Sequence, residues 1–341
     1  MAALCVGVPL FFGYFVGEVA DGILASMSGL IILYIPFTPI VNRMGTLMIC
    51  SFGFIVSFTV GLFFSFNPVI ASLILGIFSF SMYGLITYLR IKPPGYFFFI
   101  LIIAVAICMP YDPQNIPRKI GIIAMGTIST CTLALIYSLL TLKKYPSQAE
   151  IVFVAKNKTF HILEASIVGF CIGLSLIIAH ILHLENPYWV PVSCAAVMQG
   201  ATSKHIWQRS IHRILGTFIG IGFAGLLLDR HMSALAMCIS IIVLQFIVEM
   251  LVTRNYGFAV IFITALTIFM AEGGHTIGSK PHISVYARFL DITIGSTIGA
   301  IGGWFLYHQK LRRNVYKQVI KTKRLVSRET KTKIEKLKHH N

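Results

Sequence analysis

Long apolar stretches, broken only by short polar interruptions, run through nearly the whole 341-residue chain up to its basic C-terminal tail. In hydrocarbon every backbone N–H and C=O must find a partner within the protein, so such stretches can cross a membrane only as helices or as strands of a closed barrel. The alternating ten-residue pattern of barrel strands is absent, and the fold class read from the sequence is all-α: a polytopic transmembrane helical bundle. Hydrophobic residues make up 56% of the chain and charged residues 12%, against about 25% charged in soluble domains. At about 20 residues per crossing the chain accommodates about twelve helices. They are predicted over 2–17, 22–41, 45–66, 68–89, 95–110 and 119–142, then 160–182, 187–200, 211–228, 233–252, 256–271 and 283–307. The expected layout is a first transmembrane repeat at 1–142, a cytoplasmic linker at 143–159, a second repeat at 160–308 and a basic cytoplasmic tail at 309–341.

The formal charge of +16 would point to nucleic acid in a soluble protein. Here the basic residues sit in interruptions and tail, where they report orientation, because short cytoplasmic loops are enriched in Lys and Arg. With the linker inside, the cytoplasmic side collects Arg43, Arg90, Lys92, Lys143, Lys144, Lys156, Lys158, Lys204, Arg209, Arg213 and Arg254. The other side keeps only Arg118, Lys119, Arg230, Lys280 and Arg288. Both termini are therefore expected in the cytoplasm, with the protein in the inner (plasma) membrane. The apolar 2–17 segment has no basic n-region or small-residue cleavage site and reads as a first span; a short leader ahead of it is left open. The seven cysteines are scattered singly without a CxxC and read as small buried hydrophobes.

Weak matches between the halves keep their order along the chain. Asn42 to Thr46 faces Arg213 to Thr217, Lys92 and Gly95 face Arg254 and Gly257, and Arg118 and Tyr137 face Arg288 and Tyr307. Six spans per half give both copies one orientation, so parallel repeats about an axis along the membrane normal are expected.

Four blocks of the second half carry a family resemblance: ENPYWVPVSCAAVMQG at 185–200, RSIHRILGTFIG at 209–220, RNYGFAVIFITAL at 254–266 and ARFLDITIGSTIGA at 287–300. In this order they resemble the fusaric acid resistance, or aromatic acid exporter (FUSC-like), family. The resemblance implies export of aromatic or other amphipathic organic acids. Long members of that family carry a large soluble region between their membrane halves, whereas residues 143–158 alone join the halves here. The first half has GILASMSGLIIL in place of the Tyr-Trp block.

Asp291 is the most informative residue. It falls about eight residues into the last span, roughly 12 Å deep at 1.5 Å per residue, where a carboxylate costs a few kcal/mol unless paired or wet. Arg288, three residues earlier on the same face, is placed to pair with it. Two readings stand: a proton- or substrate-coupled site, or an ion pair that fixes helix packing. Glu249 and Glu164 lie nearer predicted span ends; Glu249 is the better candidate because Gln245 makes its face polar. Tyr188 and Trp189 are either interface anchors or a stacking surface for an aromatic substrate. Arg209 and Arg213, one turn apart, either attract an anionic substrate or mark the inside. Glycines at 216 and 220, and at 295, 299 and 303, read as close helix contacts rather than a phosphate loop. Eleven histidines, His180 and His183 included, form no metal-site motif, and no catalytic constellation can be argued from spacing.

The expectation is therefore an efflux transporter and not an enzyme, without cofactor or metal, acting on a small organic anion and driven by the proton-motive force. Its partners are the lipid bilayer and a periplasmic adaptor or a second copy of the chain, and not nucleic acid. The alternative is a non-transporting membrane subunit or scaffold that needs a partner.

Overall fold

The computed structural model describes residues 1–36, 38–89, 91, 94–141, 158–200, 202–227, 233–273 and 285–308. Residues 143–157 of the expected linker and the tail lie outside the described residues, while 158 and 159 open a helix and not a linker. Twelve α-helices make up the described chain: α1 (Ala2–Val16), α2 (Val19–Met27), α3 (Ile40–Phe63), α4 (Pro68–Tyr88), α5 (Phe97–Ile107), α6 (Ile116–Thr141), α7 (Lys158–Ile181), α8 (Trp189–Met198), α9 (Ser203–Leu227), α10 (Ala234–Val252), α11 (Tyr256–Gly273) and α12 (Val285–Tyr307). No strand occurs among the described residues. Seven helices are long and apolar enough to cross a bilayer, and the other apolar helical segments are shorter.

Local chemistry places several of the boundaries. Asn67 caps α4 by accepting from the N–H groups of Val69 and Ile70, with Pro68 in the first turn, where its missing N–H costs nothing. Ser233 caps α10 through the N–H of Ala236. Gly17 ends α1 at φ 84°, a backbone conformation that favours glycine.

Two expected spans came out differently. The 22–41 span is broken: α2 gives way at Ser28 to a 3-10 segment, Ser28–Tyr34. There Ser28 donates to the carbonyl of Ile123 on α6, and a Cβ at Gly29 would meet the backbone of Cys5, so tertiary contact outweighs the apolar run. The span expected from 211 begins at Ser203, because Thr202 accepts from the His205 N–H and the helix simply continues past its apolar portion.

Helices α9 and α11 run side by side in the same direction. A Cβ at Gly216 would press on Val260, and one at Gly220 would lie 2.6 Å from the Ile261 carbonyl. Helix α12 runs antiparallel to α9, as Ser210 donates to the Ser296 carbonyl and Phe218 meets Phe289. Helix α8 lies along α12, where Gly295 faces Val190 and Ser193 and Gly299 faces Cys194. The glycines expected to pack therefore do so. In the first half α3 packs on α5 and α6, and the two halves trade neighbours: α4 lies against α7, and α10 against α1. Gly76 meets Gly169 and Gly173 at the first of these crossings. Five of the seven cysteines are buried. Large apolar side chains such as Phe15, Phe52, Phe170 and Leu226 face outward, as a lipid-exposed surface requires.

Candidate functional site

The packing of α8, α9, α11 and α12 collects the polar residues of the second half into one buried seam. Asp291, on α12, has no exposed surface, and neither carboxylate oxygen has a hydrogen-bond partner among the described residues. The expected pair with Arg288 is not formed. Arg288 instead donates to the hydroxyl of Thr267 on α11 and lies over the Trp189 ring, 3.6 Å from its centroid. A guanidinium stacks well on an indole face, and Thr267 gives it a hydrogen bond that residue spacing along α12 could not reveal.

Trp189 opens α8 and is buried, with its indole N–H unpartnered. It forms a wall of the seam, under the Arg288 guanidinium. Tyr188 is half-buried beside it, with ring centroids 4.9 Å apart. Ser193 of α8 and Ser296 of α12 are buried with unpartnered hydroxyls.

Further along α9, Arg213 is 5% exposed and Arg209 is half-buried. Both are members of a helix rather than a loop, and both converge on Tyr256, the first residue of α11. The Arg213 guanidinium donates to the Tyr256 hydroxyl at 3.4 Å, and that of Arg209 stands 4.1 Å from the ring centroid. Arg209 also donates to the carbonyl of Ala196 at 3.1 Å, near the end of α8, where carbonyls lack helical partners. Nε of Arg213 and Nε of Arg288 remain unpartnered.

Glu249 lies elsewhere, on α10 against α1, where it accepts from the Met1 amino group and the Ala2 N–H. Glu164 is buried where α7 meets α4 and accepts from the Tyr83 hydroxyl at 2.9 Å. The structure thus brings Asp291, Arg288, Tyr188, Trp189, Arg209 and Arg213 to one seam and leaves Glu249 outside it. Tyr256 and Thr267 were missed, since an isolated Tyr or Thr in an apolar run carries no signal of its partner. The seam holds three guanidinium groups and one carboxylate in apolar surroundings. A site so composed holds a net positive charge and favours an anion.

Fold and site together define a multi-pass, all-helical membrane protein with a polar seam inside its helix bundle. Residues 174–302 match the family described as fusaric acid resistance protein-like, and the whole seam falls within them. The uncharacterized membrane protein YvaC of Bacillus subtilis (strain 168) is 38% identical over 122 residues, a stretch that covers 36% of this chain and 19% of that protein. This chain therefore matches under a fifth of that relative's length. No solved structure matches.

Proposed function

We propose that the protein is an efflux transporter of aromatic or other amphipathic organic anions, with both termini in the cytoplasm and the proton-motive force as its energy source. The observation that carries this reading is Asp291: a fully buried carboxylate without a hydrogen bond, in a seam that also holds guanidinium groups, is costly to keep unless it serves ion or substrate movement. Trp189 and Tyr188 supply aromatic faces at the same place, and Arg288 supplies a cation for an acid group. The family match over 174–302 supports transport as the class of activity.

Alternating access between two parallel six-helix repeats would open the seam to each side in turn. In support, the contacts α4 with α7 and α10 with α1 are reciprocal, as are Gly126 against Ala25 and Ser28 in one half and Gly295 against Val190 and Ser193 in the other. Accumulation of a panel of labelled aromatic acids is measured in cells with and without the protein. Lower accumulation with the protein, abolished by a protonophore, is expected; equal accumulation for the whole panel would overturn the reading.

A further inference from the structure

We propose that Arg209, Arg213 and Tyr256 form a second anion station, separate from the Arg288–Trp189 wall, that takes a carboxylate between α9 and α11. Arg209 and Arg213 lie one turn apart on α9. Because α9 and α11 advance in the same direction with glycines at their contact, Tyr256 at the head of α11 is brought beside both.

The donors there are only partly used. Arg209 spends its Nε on the Ala196 carbonyl and rests on the Tyr256 ring. Among the described residues Arg213 reaches only the Tyr256 hydroxyl, across 3.4 Å, and its Nε has no partner although the side chain is 5% exposed. The Tyr256 hydroxyl accepts from Arg213 and retains its own proton to donate.

No carboxylate among the described residues is in ion-pair or hydrogen-bond contact with Arg209 or Arg213; the ion pairs found are Met1 with Glu249 and Arg118 with Asp21. Two cations held together in apolar surroundings repel one another and lack the counter-charge that buried ions need. A planar carboxylate supplies it, accepting two parallel N–H bonds from a guanidinium and a third from the phenol. With Arg288 on the far side of Asp291's turn of α12, the seam then offers two stations for an acid group, one toward each end.

The inference rests on the transport reading for its ligand class alone, and binding at equilibrium tests it without any gradient. Labelled benzoate is titrated by equilibrium dialysis onto the purified full chain in detergent, with benzamide and chloride as competitors. Wild type should bind benzoate; benzamide should not compete, and chloride only weakly. Arg213→Gln should weaken binding about tenfold or more, the loss expected for a hydrogen bond to a charged group. Arg213→Lys should recover part of it, and Tyr256→Phe should weaken it by a smaller factor. Arg118→Gln, on the surface, serves as control. Should Arg213→Gln fail to fold, Arg209→Gln and Tyr256→Phe carry the same test. Absence of benzoate binding by wild type, unchanged affinity in folded Arg213→Gln and Tyr256→Phe, or chloride competing as well as benzoate would each overturn the station. Loss of binding in Arg213→Gln without efflux by wild type would sink the transport reading and leave the station standing.

Discussion

Asparagine at position 291 keeps the volume of the aspartate and removes its charge, and the structure assigns a stability change to that swap. Burying a carboxylate costs about 2.5–3.5 kcal/mol on insertion scales. Arg288 is not in ion-pair contact with it, so the attraction it returns is below the about 4 kcal/mol of a 4 Å pair at an effective dielectric of about 20. It offsets part of that cost. The amide that replaces the acid inherits an unbonded site, at about 1–3 kcal/mol. Asp291→Asn should therefore cost less than about 3 kcal/mol, whereas breaking a hydrogen-bonded buried pair costs about 3–5 kcal/mol. The assay is reversible unfolding of the purified protein in mixed micelles, run together with efflux of a labelled aromatic acid per folded molecule. The expected outcome is a stability loss below about 3 kcal/mol with efflux abolished. A loss of 3 kcal/mol or more would refute the unbonded geometry and make the residue a packing device. Wild-type efflux would refute its part in coupling.

Three further outcomes follow from the same structure. A cytoplasm-active reporter fused after His308 should work and a periplasm-active one should fail, as the distribution of Lys and Arg requires; the reverse pattern would invert the topology. Gly220→Ala, whose Cβ would sit 2.6 Å from the Ile261 carbonyl and 2.7 Å from Thr264, should cost about 1–3 kcal/mol, while Gly222→Ala, with nothing within 4 Å, should be neutral in the same melting experiment. Trp189→Phe keeps an aromatic face under Arg288 and should cost less in thermal melts than Trp189→Ala, which loses the stack, worth about 2 kcal/mol when desolvated, and leaves a cavity as well; equal losses would remove the stack from the site.

Helix number, type and most boundaries were legible in the amino-acid order, because hydrocarbon enforces internal hydrogen bonding on every long apolar run. Caps such as Asn67 with Pro68 are local and readable for the same reason. The break at Ser28 was not legible, because it depends on a carbonyl of α6, a helix distant in sequence. Within the site, depth along α12 singled out Asp291, spacing from it singled out Arg288, and one-turn spacing ahead of an apolar run singled out Arg209 and Arg213. Partnership was beyond the sequence. Spacing along one helix put Arg288 with Asp291, yet three-dimensional packing offered Arg288 a Trp ring on α8 and a Thr hydroxyl on α11. The same packing gave Tyr256 to two arginines on α9. That a run crosses hydrocarbon as a helix is set by its own apolar length, and the chain order alone determined it. A polar group's partner is whatever another helix brings within about 3 Å, and only the tertiary structure decided that.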